Sequence, residues 1–329
     1  MITMRKRLWL GLAVALSVCV STWTPVGVQA QSQVWPQRPV KFILPLGPGS
    51  GVDITARLLG DSLAARWGQS VVIENRPGGD GVVAVTAFTG GQDDHTLLVS
   101  PTSSFTHHSW THEKLPYDPR DLVPIARLTN TLVAVVVPAS SSINSLAELV
   151  AAARAQPGKL NWATITGFFD FMFEGFQKKA NLEIAKVPYR NTVQAANDLA
   201  EGRIQLMMSA FAIVRPLVEA GKLKLLAFTA RERAPIAPNV PTAAEAGFPD
   251  LTIEGLVGVF GPRNLAGPAR ERIGADLRQV LSDQAIISRL TQTGQVVNPG
   301  SAAEFAAAID AQRAQATAVG ALLGIKAAQ

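Results

Sequence analysis

Short apolar runs alternate with longer segments of helical period along this chain. Val40-Lys41-Phe42-Ile43-Leu44 reads as a strand, and residues 53–67 read as a helix with Ile54, Leu58, Leu59, Leu63 and Trp67 on one face and Gly68 just past its end. Strands follow at 71–74 and 96–99, with a short helix at 82–88 between them. Residues 131–138 are almost wholly apolar, the pattern of one strand buried on both faces. Ser145-Leu146-Ala147-Glu148 is a capping box that opens a helix, and Pro157-Gly158 closes it. Strands at 159–163, 184–187, 204–208 and 223–228 then alternate with helices at 169–180, 192–201 and 212–220. A second capping box, Thr242-Ala243-Ala244-Glu245, precedes a strand at 256–260. The Ala-rich C-terminal third gives helices at 268–281, 284–293 and 302–318, the last behind the box Ser301-Ala302-Ala303-Glu304.

Such alternation predicts parallel sheets with helical crossovers. No repeat of 20–50 residues and no low-complexity linker interrupts it. Two lobes interwoven by more than one crossing of the chain therefore fit better than two independent beads. In an open α/β pair the ligand belongs at the carboxyl ends of the strands, in the crevice between lobes.

Residues 1–30 have the layout of a secretory signal peptide. Arg5, Lys6 and Arg7 form a basic start, residues 8–20 an apolar stretch, and Val28-Gln29-Ala30 a cleavage site after Ala30. An uncleaved anchor is the alternative. Removing the segment leaves 299 residues and takes away three of the 30 basic residues, so 27 face 25 acidic ones and the net charge falls from +5 to +2. That balance does not suit a nucleic-acid binder. Cys19 is the sole cysteine and lies inside the segment, so the mature chain has no thiol chemistry, and no later run is long and apolar enough to span a bilayer.

Chemistry concentrates at Pro45-Leu46-Gly47-Pro48-Gly49-Ser50-Gly51-Val52-Asp53, between the first strand and the first helix. Strand, Gly/Pro-rich turn and helix start together aim bare N–H groups and the positive end of a helix dipole at an anion. An ordinary Gly/Pro turn is the competing reading. The turn is neither a Walker loop nor a dinucleotide fingerprint, because no Gly-Lys-Ser/Thr follows and the third-glycine spacing is wrong. His108 and His112 stand four apart, but Ser109 occupies the place where a zinc metalloprotease motif needs Glu, and a surface loop is the preferred reading of that segment. Ser50 lacks the flanking glycines of a nucleophile elbow, and no Ser-x-x-Lys occurs. The sequence marks no catalytic residue, metal site or cofactor, so a binding role leads.

Several segments together resemble a known family. The opening turn, Glu74-Asn75-Arg76-Pro77-Gly78, Lys114-Leu115-Pro116-Tyr117-Asp118-Pro119, Val187-Pro188-Tyr189, Ala220-Gly221-Lys222-Leu223 and Val240-Pro241-Thr242-Ala243-Ala244-Glu245-Ala246-Gly247 resemble, in order and spacing, the Bug-type extracytoplasmic solute receptors of tripartite tricarboxylate transporters. The resemblance implies an α/β fold of the type II periplasmic binding protein kind, two α/β lobes with a ligand cleft and two crossover segments. Lobe 1 would comprise 31–134 and 254–329, and lobe 2 would comprise 135–253. It implies a periplasmic monomer that holds a small organic carboxylate without metal or cofactor, does no chemistry, and serves membrane permease subunits or a sensor protein.

The resemblance also implies where the ligand sits. Gly49, Ser50, Gly51, Val52 and Asp53 match the first anion loop, with Asp53 expected to cap the helix and order the loop while the N–H groups of Ser50, Gly51 and Val52 face the ligand. Ser100, Thr102 and Ser103 match the second loop of that lobe. In the other lobe, Thr164, Thr166, Gly167, Phe168, Phe169 and Asp170 replace a Gly/Ser-rich loop that often carries a histidine, and Ser209 and Phe211 flank a position where Asp is common. Phe168, Phe169 and Phe211 admit two readings, lobe core or cleft wall. As cleft walls they would favour an acid less polar than citrate or aspartate. A periplasmic enzyme on the same fold would take Asp170 as its acid or base.

Overall fold

The apolar run at 131–138 is not one strand. Val123–Thr131 and Val133–Pro138 are separate strands that meet at Leu132 and belong to different sheets. Continuous apolarity conceals the break, because both strands are buried and the chain crosses between sheets without a polar turn. The computed structural model describes residues 35–164, 167–189 and 191–328, with Thr164 by its backbone alone. The expected signal peptide, Thr166 and the side chain of Thr164 lie outside the described residues.

From the N-terminal side the chain forms β1 (Val40–Leu44), α1 (Gly51–Trp67), β2 (Val71–Asn75), α2 (Val82–Gly91), β3 (Thr96–Pro101), a single turn α3 (His108–Thr111) and β4 (Val123–Thr131). It then builds β5 (Val133–Pro138), α4 (Leu146–Ala155), β6 (Asn161–Thr164), α5 (Phe168–Ala180), β7 (Ala185–Lys186), α6 (Thr192–Ala200), β8 (Leu206–Ala210), α7 (Phe211–Glu219) and β9 (Leu223–Phe228). It closes with β10 (Gly255–Gly261), α8 (Gly267–Val280), α9 (Gln284–Gln292), β11 (Gln295–Gly300) and α10 (Ala302–Leu323).

These strands make two sheets, ordered β11-β4-β10-β3-β1-β2 and β7-β6-β8-β5-β9. The sheets are mixed rather than parallel. β1 pairs in parallel with β2 and β3, but β10 runs antiparallel to β3 and β4. β6 is parallel to β7 and β8, while β5 is antiparallel to β8 and β9. β5 and β10 enter their sheet from the other lobe, so the crossovers account for their direction, while β11, antiparallel to β4, follows α9 within the same lobe.

β5 shows why each sheet needs two covers. Val133, Val135 and Val137 enter one core with α4 and α5, and Ala134 and Val136 enter the opposite core with α6 and α7. That is the two-residue period of a strand buried on both sides. The first sheet is covered likewise, by α1 and α8 on one face and by α2 and α10 on the other.

Two crossovers join the lobes. Leu132 carries the chain from β4 to β5, and residues 229–254 carry it back from β9 to β10. At the first, Leu132 N–H donates to Gly294 O at 3.0 Å and Phe211 N–H donates to Leu132 O at 2.8 Å. β1, β3 and β4 end on the edge of the first sheet where β10 and β11 begin, and β6, β8 and β9 end on the edge of the second where β5 begins. The crossover brings these two edges together. α10 adds a further bridge, its Ala316 entering the core around α5 of the second lobe.

Candidate ligand-binding site

The loop after β1 is anchored from beneath. Ser50 has extended backbone angles and its hydroxyl accepts the N–H of Asp53 at 3.2 Å, so Ser50 is the helix cap and α1 begins at Gly51. This corrects the expectation that Asp53 caps the helix. Asp53 lies at the third helical position, where its carboxylate reaches back to accept the N–H of Gly49 at 2.9 Å. It also accepts from Arg57 Nε and from Asn75 Nδ2, each at 3.0 Å, and Asn75 in turn donates to Leu46 O at 2.9 Å. Burial works against the Asp53 charge, but the bonds from Arg57, Gly49 and Asn75 outweigh it and hold the carboxyl below its usual range. Asp53 therefore orders the loop from inside, as expected, by a different set of bonds.

The N–H groups of Gly51 and Val52 occupy the first two helical positions and have no partner within the helix. Above Gly51 lies the amide of Gln295, the first residue of β11, so close that a Cβ at position 51 would overlap it. Gln295 is buried and held by the hydroxyls of Thr129 at 2.8 Å and Thr131 at 3.0 Å. Sequence reasoning missed this residue because β11 carries no clear apolar alternation.

The second loop of this lobe is tightly packed. Ser100 and Thr102 are buried, Ser103 is half-buried, and the Ser100 hydroxyl donates to Pro101 O at 2.8 Å. The Thr102 hydroxyl bonds the side chain of Gln312 from α10, which also accepts from Thr106 at 3.3 Å and donates to Glu254 O at 2.9 Å. Gln312 thus ties this loop to the start of β10.

Across the lobe contact, Phe168, Phe169 and Phe211 are all buried. Phe168 packs edge-on against Phe169 and against the ring of His107 from the first lobe, while Phe211 packs edge-on against Phe228. Ser209 is buried opposite Ala134 of β5. Asp170 is paired with Lys186, which also lies 3.2 Å from Glu174. Burial raises the Asp170 carboxyl above its usual range even with Lys186 beside it. Gly167 has φ +94°, and any Cβ there would strike the carboxylate of Asp80 from the first lobe.

The histidine segment also departs from expectation. His107 and His108 are fully buried rather than on a surface loop, and His112 is half-buried. Their neighbours explain it: His108 Nδ1 lies 2.6 Å from the Tyr117 hydroxyl, and His107 packs edge-on to Phe168 and tilted against Phe171. Burial, then His107, lower the His108 pKa to about 4, so this imidazole is neutral.

The four expected segments, around 49–53, 100–103, 167–170 and 209–211, thus lie at strand ends on the two edges that the crossover brings together. Residues 55–324 match the family described as the tripartite tricarboxylate transporter family receptor. The chain belongs to that family. A Pseudomonas sp. (strain P51) relative, the UPF0065 protein in the tcbD-tcbE intergenic region, is 30% identical over 309 residues, covering 92% of this chain and 89% of its own. Among solved structures, R. palustris Rpa4515 with adipate has a TM-score of 0.78 at 28% identity, covering 89% of this chain and 99% of its own. MatC (Rpa3494) from Rhodopseudomonas palustris with bound malate has a TM-score of 0.75 at 26% identity, covering 87% and 99%. As in these receptors, the fold is two α/β lobes.

Proposed function

We propose that this receptor captures a small organic carboxylate in the periplasm, after removal of its leader at Ala30, and delivers it to membrane permease subunits of a tripartite tricarboxylate transporter. The observation that carries the reading is the opening loop. Asp53 holds its backbone rigid from inside, and the N–H groups of Gly51 and Val52 are left without helix partners. A helix start of this kind stabilises a negative charge by about 0.3–1 kcal/mol through its dipole, and by more where direct N–H bonds form. Two neighbours in the same fold hold adipate and malate, which is why a carboxylate leads over other anions.

Binding is read as closure. Residues 31–134 with 254–329 form one jaw and residues 135–253 the other, pivoting at Leu132 and the 229–254 segment, with the ligand favouring the closed state by touching both. No covalent step is assigned to any residue. In the second jaw, residues 167–170 and 209–211 follow the ends of β6 and β8, and Phe168, Phe169 and Phe211 pack into the lobe cores rather than forming a cleft wall, so the preference for an acid less polar than citrate or aspartate rests on the adipate-bound neighbour.

Mass spectrometry of ligand released from natively purified protein, followed by thermal-shift titration, tests both parts. Ligand at about 100 times its Kd raises stability by about 2.7 kcal/mol. Stabilisation by adipate-like or aromatic acids is the expected result. Stabilisation by citrate or aspartate alone overturns the low-polarity assignment, and no response to any carboxylate overturns the function.

A further inference from the structure

Away from the opening loop, Asp80 of the first lobe meets Gly167 of the second at a cavity of about 390 Å³ lined from both sides. Asp80 has φ +54° and ψ 32°, the left-handed region, and its carboxylate is partly exposed to that cavity. His107 Nε2 lies 2.8 Å from Asp80 Oδ2, and His108 Nε2 lies 3.8 Å from the same oxygen. One donor atom from each of the three residues falls within 4.8 Å of the others.

His107 makes the cluster unusual. It is fully buried, yet neither ring nitrogen makes a hydrogen bond among the described residues, and its approach to Asp80 lacks hydrogen-bond alignment. A buried polar group left without a partner costs about 1–3 kcal/mol, so its nitrogens call for something to bind. The His108 ring is held between the Tyr117 hydroxyl and the Asp80 carbonyl. As it stands, Nε2–H donates to Asp80 O at 3.1 Å and Nδ1 accepts the Tyr117 hydroxyl at 2.6 Å, so metal binding through Nε2 would move the ring proton to Nδ1, where the Tyr117 oxygen can accept it. Neighbouring donor atoms around a tetrahedral zinc stand roughly 3.3 Å apart, given bond lengths of about 2.0–2.1 Å. The observed 2.8 and 3.8 Å bracket that value.

We propose that Asp80, His107 and His108 form a site for one divalent transition metal of the zinc type, entered through the cavity at the lobe contact and completed by water. Two imidazoles and one carboxylate suit zinc or cobalt and disfavour magnesium and calcium, which take all-oxygen shells. The metal would supply the partner that His107 lacks and would replace the bond between His108 Nε2 and Asp80 O, now 3.1 Å. Because His107 packs on Phe168 and Phe171, the metal would sit where the lobes touch.

The test is zinc titration of the EDTA-stripped full chain by calorimetry, with cobalt absorption spectra as a second readout. One zinc per chain, no magnesium uptake, and visible cobalt bands are expected. Asp80→Gly removes the carboxylate while suiting the left-handed backbone, and it should weaken zinc binding at least tenfold and change the cobalt bands, as should His107→Ala. Should His107→Ala not fold, Asp80→Gly decides alone. Absence of stoichiometric zinc, or zinc affinity and cobalt bands unchanged in folded Asp80→Gly, overturns the site, as does loss in His112→Ala with none in Asp80→Gly.

Discussion

The carboxylate of Asp53 accepts the N–H of Gly49 at 2.9 Å, tying the Gly/Pro loop back onto the helix that it opens. This bond turns the acidic side chain inward, beneath a helix start whose first N–H groups lack helix partners. Asp53→Ala strips Gly49, Arg57 and Asn75 of their shared acceptor and should cost about 2–3 kcal/mol in urea unfolding. The same variant should weaken carboxylate binding by tenfold or more.

The charge of Asp53 also sets a pH dependence. Its carboxyl is held below the usual range in the folded state, so the folded state binds fewer protons than the unfolded one. The stability it contributes is complete above the unfolded value of about 4 and is lost as pH falls through the folded value. Wild type should therefore lose stability more steeply than Asp53→Asn as pH falls below about 4, and acid titration by circular dichroism reads the difference.

The Gln295 side chain occupies the space that a Cβ on Gly51 would need. Gly51→Ala drives a methyl into the Gln295 amide and should cost about 1–3 kcal/mol. Gln295→Ala removes the obstacle, so the double variant should be more stable than the sum of the two losses predicts. A double-mutant cycle with a coupling of about 0.5–3 kcal/mol confirms the contact, and strict additivity refutes it.

Much of this fold is legible in the sequence, for reasons that can be traced. Ser301 and Glu304 cap their helix reciprocally, as the box pattern states, and Gly68 and Gly324 close helices in the left-handed conformation. The Thr242–Glu245 box forms as well, with bonds of 2.8 and 3.1 Å, but the chain turns away after one turn at Gly247. What stayed hidden depends on distant partners. β4 lies between β10 and β11, and nothing local marks their edges. The burial of His107 and His108 comes from Phe168, Phe171 and Tyr117, which no spacing connects to them. The opening loop was readable because its donors are local backbone, whereas Gln295, Asp80 and Gln312 reach it or its neighbours only through the fold.

Gly175 and Val319 hold α5 of the second lobe against α10, which covers the first sheet. A Cβ at position 175 would stand 2.6 Å from Val319 Cγ1. Gly175→Val should wedge the two helices apart, cost about 1–3 kcal/mol, and disfavour lobe closure. Ligand affinity should fall, with small-angle scattering of the ligand-free protein shifted to a larger radius.

Lys186 is the partner that lets Asp170 remain charged at the start of α5. The Asp170 side chain is 11% exposed and that of Lys186 is 40% exposed, so water screens the pair only from the lysine side. Lys186→Met removes the countercharge and leaves Asp170 beside Glu174, whose like charge raises the Asp170 carboxyl further. A fully buried broken pair costs about 3–5 kcal/mol, and solvent at the lysine end reduces the expectation here to about 1–2 kcal/mol. Because the lone carboxyl would then take up a proton on folding, the destabilisation should shrink as pH is lowered from 7 to 5. Asp170→Leu combined with Lys186→Met removes both charges and should recover most of the loss. Equal destabilisation of the single and double variants at every pH would show that the pair contributes packing rather than charge compensation.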